Sequence, residues 1–397
     1  MSDFIPYGRQ SISEEDIEAV VKVLKSDFLT CGKQVELFEE ALCQYTGAKY
    51  AVVCSSGTAA LHLAVLALQK DGPFLGMTVG NTFLATANCL AYCGGKPKFI
   101  DITSDTANMS TDQLEKHLND DVSVVLPVHF AGHPAELNRI AQLVESDKQV
   151  IIEDACHALG AQYGGERIGN CRHSTMAVFS FHPVKHITTG EGGAIMTNDE
   201  ELAKRMRQLR CHGMTRSAND FSLKDLAFEG NEANPWYYEM SKLGFNYRLT
   251  DIQCALGTVQ LGKLEANVRR RREIAQKYRE AFAKLDWLDL LAEREGVKSS
   301  YHLFVALIDY KTLGLSRRLV MKALRSKGIG TQVHYIPVYR QPFYQQLLNE
   351  ESHFECPNTE SYYERCLSLP IFPTMNDEQV ERVVAAIKEI PRLVNSQ

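Results

Sequence analysis

Through roughly the first 210 residues, short apolar runs of strand length alternate with stretches of helical periodicity. No other feature of the chain constrains its fold as strongly. The runs Ala51-Val52-Val53-Cys54, Lys98-Phe99-Ile100, Val122-Ser123-Val124-Val125-Leu126-Pro127-Val128 and Val150-Ile151-Ile152 read as buried strands. Helices are expected near 14–25, from about Val35, and over the apolar stretch 59–68, with a turn at Leu29-Thr30-Cys31-Gly32 between the first two. Ser110 and Gln113 match a capping box for another helix. Strands separated by helices imply βαβ units and an α/β fold, its mostly parallel sheet sandwiched by helices. Ligands then gather at the carboxyl ends of the strands.

The pattern changes near residue 250. Thr250 and Gln253 form a second capping-box pair, and one long helix is expected through about Leu285. A strand over 301–305, a helix ending near Gly328, a strand-like Thr331-Gln332-Val333-His334 and a last helix over about 377–390 follow. The chain thus divides into a large domain, residues 1–250, and a connecting helix with a smaller α+β domain, residues 251–397. The polar segment 217–236, broken by Gly230 and Pro235, reads as a long functional or mobile loop.

Bulk properties exclude several functions. A net charge of −6 and a pI near 6.1 provide no field for nucleic acid or an anionic membrane. The run Arg269-Arg270-Arg271-Arg272 reads as a solvated or interface-facing helix surface. Eleven scattered cysteines without a Cys-x-x-Cys pair, and an opening Met1-Ser2-Asp3-Phe4-Ile5-Pro6 without a leader pattern, point to a reducing compartment, hence the cytoplasm. Cys89 and Cys93, four apart in an apolar helical stretch, read as packing. No apolar run approaches membrane-spanning length. His129 and His133 are four apart, but Gly132 and Pro134 break the helix a metal pair would need, so no metal site is expected there.

Lys185 lies in Phe179-Ser180-Phe181-His182-Pro183-Val184-Lys185-His186-Ile187-Thr188-Thr189-Gly190-Glu191-Gly192-Gly193. An amine in this strand, turn and glycine context is suited to a carbonyl cofactor held as a Schiff base. Pyridoxal phosphate needs an amine for its aldehyde, an acid for its pyridine nitrogen and a cradle for its phosphate. Asp154, ending the strand after Glu153, is the candidate acid; alone it reads rather as a cap of the next helix, the combination with Lys185 reverses that, and alternation turns Glu153 to the other face. Ser55-Ser56-Gly57-Thr58 occupies a strand-to-helix turn able to bind phosphate, or simply to cap a helix; it matches neither a dinucleotide fingerprint nor a Walker loop. Ser180 is a second phosphate candidate or an ordinary strand serine. Phe83 can stack on the pyridine or belong to the core, and His157, read at a helix start, can meet the phenolic oxygen or pack on the sheet. Gly190, Gly192 and Gly193 let the backbone turn after the lysine.

In this order, these motifs resemble the nucleotide-sugar aminotransferases of the aspartate aminotransferase fold, over almost the whole chain. The likeness includes Phe28-Leu29-Thr30-Cys31-Gly32, Ser55-Ser56-Gly57-Thr58-Ala59-Ala60-Leu61, Asn81-Thr82-Phe83-Leu84-Ala85-Thr86-Ala87-Asn88, Glu153-Asp154-Ala155-Cys156-His157-Ala158-Leu159-Gly160 and Gly244-Phe245-Asn246-Tyr247-Arg248-Leu249-Thr250. The phrases Ser180-Phe181-His182-Pro183-Val184-Lys185-His186-Ile187-Thr188-Thr189 and Val333-His334-Tyr335-Ile336-Pro337-Val338-Tyr339 resemble the UDP-sugar 4-aminotransferases of pseudaminic acid biosynthesis. The resemblance implies a homodimer with shared active sites, Asn246 reaching the neighbouring subunit's cofactor phosphate. It implies substrate contacts from Tyr7, Leu29, Thr30, Ser56, His334 and Tyr335, and L-glutamate as amino donor in a ping-pong reaction. A 3- or 4-aminotransferase of the GDP-perosamine type would share every cofactor residue, and a non-enzymatic regulatory protein could share the fold. One stretch departs from the family: Phe74-Leu75-Gly76-Met77-Thr78-Val79-Gly80 stands where a clear strand and a proline-containing turn are usual.

Overall fold

The computed structural model describes residues 4–69, 72–348 and 355–392. Met1-Ser2-Asp3, on which the reading of the chain start partly rests, lie outside the described residues.

A seven-stranded sheet forms the centre of the larger part. Its strands are β1 (Tyr50–Cys54), β2 (Leu75–Val79), β3 (Lys96–Ile100), β4 (Val122–Val125), β5 (Val150–Asp154), β6 (Met176–Ser180) and β7 (Gly193–Thr197), in the spatial order β1-β7-β6-β5-β4-β2-β3. Strands β2 to β6 run parallel, while β7 is antiparallel to both its neighbours. That register puts Gly193 opposite both Cys54 and Ser180, so the ends of β1 and β6 meet at one residue. A Cβ on Gly193 would stand 2.4 Å from the Ser56 carbonyl oxygen. This close approach, not a turn, requires glycine there.

The helix Gly57–Leu66 is buried on nearly every side, from Ala59 through Val65. It lies against β6 and β7 beneath the helices Leu84–Tyr92 and Glu200–Arg210, which explains its lack of a polar face. The stretch that departs from the family pattern is an internal strand, β2, paired with β3 and β4, its register against β4 shifting between Leu75 and Gly76. Strand β4 stops short of the expected 128 because Pro127 has no N–H for the ladder. Ser110 caps its helix by accepting from the Gln113 N–H.

Several expectations beyond residue 210 need correction. The long helix is two, Asp251–Gly262 and Leu264–Phe282. Gly262 weakens the helix at the break, where the Lys263 amine reaches Asp16 Oδ2 at 2.5 Å and Ser13 Oγ at 2.8 Å. Thr250 and Gln253 do form the full capping box. Tyr301 has φ 48°, outside the extended region, and the strand begins later, at Phe304–Ile308. Residues 331–334 form no strand; Gln332 makes only an isolated bridge to Ser368. Segment 217–236 is not an open loop: it holds the short helix Lys224–Ala227 and a hairpin pairing Phe228 with Ala233. Within this excursion Glu239 accepts from the N–H groups of Ser222 and Leu223 and from the Tyr237 hydroxyl.

The basic run is not a solvated face either. Arg271 is 1% exposed, and its guanidinium donates to the carbonyls of Tyr301, His302 and Ile371. Arg272 donates to Ser299 and Gly160, and Arg270 to Met375. Three of the four arginines thus staple the Leu264–Phe282 helix to the segments it crosses.

The smaller sheet is antiparallel, with Phe304–Ile308 between Leu288–Leu290 and Cys366–Leu369. The helices Arg317–Ser326 and Asp377–Lys388 bury Val320, Leu324, Val383 and Ile387 in its core. Ile5 joins that core, its N–H donating to Gly328 and its carbonyl accepting from Gly330.

Candidate active site

At the carboxyl ends of β1, β5 and β6 lies a cavity of about 520 Å³. Its walls bring together Tyr7, Ser56, Gly57, Thr58, Phe83, Asp154, His157, Ser180, Lys185, His334 and Tyr335. These residues span more than 300 positions of sequence, and the sheet topology assembles them at one crevice.

Asp154 is the last residue of β5, and its side chain is buried. Oδ1 accepts from the Cys156 N–H at 3.1 Å, and Oδ2 from the Thr86 hydroxyl at 2.6 Å. No helix follows, so Asp154 is not a helix cap, and His157 sits in a turn rather than at a helix start. Glu153 points away, bonded to His129 Nε2 at 2.8 Å and to the Ser174 hydroxyl. His133 bonds to Asn108 and Pro134, so His129 and His133 serve separate hydrogen-bond networks.

Lys185 follows β6 in a turn closed by its own N–H donating to the His182 carbonyl. Burial lowers its amine pKa, against the opposing pull of Cys156 and Asp154. Ser56 caps the Gly57–Leu66 helix, its Oγ accepting from the Ala59 N–H at 3.0 Å. The N–H groups of Gly57 and Thr58 are among those a helix leaves without an internal partner. Gly57 matters for its missing side chain: a Cβ there would lie 2.8 Å from Ser180 Cβ. Ser180 is therefore held directly against the helix start.

The far wall is aromatic. The Tyr335 hydroxyl meets His157 Nε2 at 3.1 Å, and its ring lies 6.2 Å from that of Phe83. Phe83 is 55% exposed and so is not a core residue. His157 Nδ1 is buried without a partner, and its ring lies 4.3 Å from that of His302, tilted by 40°. Burial, then the Lys185 charge, holds the His157 imidazole well below its ordinary pKa. His334 bonds to Ser368 Oγ at 2.8 Å and lies 5.4 Å from the Tyr7 ring. Its pKa is pushed down to about 3, first by burial and then by Lys185.

Three candidates are not brought to this cavity. Leu29 is exposed, its carbonyl accepting from the Asp251 N–H; Thr30 bridges Thr250, and Asn246 bridges Cys211. Conversely, Cys156, His302, Thr82 and Glu191 line the cavity without having been singled out. Thr82, just ahead of the Leu84–Tyr92 helix and four residues before Thr86, was a readable signal; His302 carried none.

The donor set fits pyridoxal phosphate. There is an amine at Lys185, a carboxylate at Asp154, a phosphate cradle at the helix start that a Cβ on Gly57 would crowd, and a buried unpartnered nitrogen on His157. A model of the DegT/DnrJ/EryC1/StrS aminotransferase family matches residues 10–388, and the chain belongs to that family. It is a pyridoxal phosphate-dependent sugar aminotransferase. An uncharacterized protein of Methanocaldococcus jannaschii is 40% identical over 387 residues, 98% of this chain and 97% of that protein. Helicobacter pylori PseC, an aminotransferase of pseudaminic acid biosynthesis, superposes with TM-score 0.88 at 33% identity, covering 98% of this chain and 99% of its own. A sugar aminotransferase of Streptococcus pneumoniae in its PMP form gives TM-score 0.88 at 28% identity, covering 99% of both chains.

Proposed function

We propose that this aminotransferase converts UDP-2-acetamido-2,6-dideoxy-β-L-arabino-hexos-4-ulose to UDP-4-amino-4,6-dideoxy-N-acetyl-β-L-altrosamine, a step of pseudaminic acid biosynthesis, with L-glutamate as donor. The observation that carries this reading is the likeness to PseC along the full length of both chains.

Pyridoxal phosphate, when bound, supplies the carbonyl that carries nitrogen from donor to acceptor and the ring that stores the electron pair. Lys185 Nζ takes the proton from the donor carbon that loses nitrogen and delivers one to the sugar carbon that gains it. Its lowered pKa keeps more of the amine in the proton-accepting form. Asp154 accepts the pyridine N–H. The Gly57 and Thr58 N–H groups, with the Ser56 and Ser180 hydroxyls, hold the phosphate at a helix N-terminus. Phe83 would cover one ring face, and His157 would meet the phenolic oxygen. Tyr7, Ser56, His334 and Tyr335 contact the sugar nucleotide.

Leu29, Thr30 and Asn246 act across a homodimer interface, Asn246 on the partner's cofactor phosphate. The exposure of Phe28 (62%), Trp236 (69%) and Leu243 (79%) supports such an interface, because burying large apolar groups against a partner is favourable. The eleven scattered free cysteines support a reducing compartment, the cytoplasm, as the place where the enzyme works.

The test is a panel of UDP-, GDP- and dTDP-4-keto-6-deoxy sugars with glutamate, the products identified by NMR. Amination at C4 of the UDP-sugar is expected. Turnover only of a GDP- or dTDP-sugar, or amination at C3, refutes the substrate while leaving the aminotransferase standing.

A further inference from the structure

The carboxylate of Asp154 is held by a chain of hydroxyls whose direction the chemistry fixes. Thr86 Oγ1 lies 2.6 Å from Asp154 Oδ2, and Thr82 Oγ1 lies 2.7 Å from Thr86 Oγ1. All three residues are buried, with Thr86 wholly out of solvent. A carboxylate only accepts, and a threonine hydroxyl has one proton. Thr86 therefore donates to Asp154, and Thr82 must donate to Thr86. The 2.6 Å separation is in the range of a charge-assisted O–H···O⁻ bond. On the opposite side the Cys156 N–H occupies Oδ1, so both oxygens are anchored and the side chain has no free rotation.

The anchors come from two elements. Cys156 follows β5 itself, whereas Thr82 and Thr86 flank Phe83 at the start of the Leu84–Tyr92 helix. The hydroxyl chain thus ties the acid to the loop that presents the Phe83 ring to the same cavity.

We propose that Thr86, polarised by Thr82, is a positioning residue for the acid that holds the cofactor's pyridine nitrogen, and that this chain sets the acid's register against Phe83. The inference rests on the reading of Asp154 given above. Without the Thr86 hydroxyl, Oδ2 loses a buried partner and the carboxylate turns away from the ring nitrogen.

The test uses the purified holoenzyme and its Thr86→Val, Thr86→Ser, Thr82→Val and Asp154→Asn variants. Two readouts are taken: the rate of cofactor loss on dialysis, followed by the visible absorption band, and kcat with KM for glutamate. Thr86→Val is expected to lose cofactor about 10- to 100-fold faster, the range for removing one hydrogen bond to a charged group. Its kcat falls with little change in KM. Thr86→Ser restores both readouts, and Thr82→Val gives a smaller loss of the same kind. If Thr86→Val fails to fold, by circular dichroism, Thr82→Val carries the test. Thr86→Val behaving as wild type while Asp154→Asn loses cofactor overturns this inference alone. Equal impairment of Thr86→Val and Thr86→Ser also overturns it, since shape and not the hydroxyl would then matter. An Asp154→Asn variant indistinguishable from wild type overturns the reading of Asp154 itself.

Discussion

Replacing Gly57 with alanine separates the cradle's geometry from ordinary helix energetics. The added methyl would stand 2.8 Å from Ser180 Cβ, 3.1 Å from Ser180 Oγ and 3.3 Å from Cys156 Sγ. Rotating the Ser180 side chain relieves only the second contact, because a Cβ moves only with its backbone, here the end of β6. Overpacking of this kind costs about 1–3 kcal/mol. Alanine in place of glycine in a helix returns up to about 1 kcal/mol. The net expectation is a loss of about 0–3 kcal/mol in stability. Function falls further, because β6 can relieve the clash only by carrying Ser180 away from the Gly57 and Thr58 N–H groups. Misplacement by about 1 Å can cost on the order of 100-fold. Urea denaturation gives the first quantity, and cofactor retention on dialysis with glutamate turnover gives the second. Gly262→Ala is the control: it ends the Asp251–Gly262 helix, its Cβ would meet nothing within 4 Å, and it is expected to gain at most about 0.5–1 kcal/mol, the mid-helix value, with activity unchanged. A Gly57→Ala enzyme that retains cofactor and activity like its parent would refute the close-approach argument.

Other perturbations test the remaining parts. Burial holds His157, His186 and His302 well below the ordinary imidazole value and His334 at about 3. As pH falls below about 6.5 the unfolded chain binds protons that the folded chain refuses, so stability falls by about 1.4 kcal/mol per pH unit for each such group. In cofactor-free protein, His334→Asn should flatten the fall in urea stability between about pH 6 and 4 by one such increment; an unchanged slope would contradict it. Tyr335→Phe removes the hydroxyl on His157 Nε2 and is expected to lower turnover about 3- to 10-fold while leaving the fold intact by circular dichroism. Glu239→Gln weakens the bonds from Ser222, Leu223 and Tyr237 and should raise protease cleavage within 214–243; an unchanged digestion pattern would argue against Glu239 as the organiser of that excursion.

The large sheet was legible because β1, β3, β4 and β5 are apolar runs bounded by turns, and a parallel sheet buries both faces of such strands. Strand β7 was masked by the glycines before it, which read as a turn although Gly193 begins the strand. Asp154 and Lys185 were legible because strand ends place side chains in the crevice, whereas the partnership of Asp154 with Thr86 spans 68 positions and depends on tertiary packing. The same reason hid Arg271. Four consecutive arginines on a helix read as a polar face, and only the crossing segments at Tyr301, His302 and Ile371 supply the carbonyls that let one be buried. His157 was assigned the right cavity on a mistaken helix, since an Asx-like bond from Cys156 N to Asp154 ends the strand in turns instead.

The most direct test of this active site is to reduce the yellow protein with borohydride, digest it and map the modified lysine by mass spectrometry. The expected result is a pyridoxyl phosphate adduct on Lys185, absent from Lys185→Ala, which also lacks the visible band. An adduct on another lysine, or a band that survives Lys185→Ala, would contradict the site as assembled around Asp154 and Gly57.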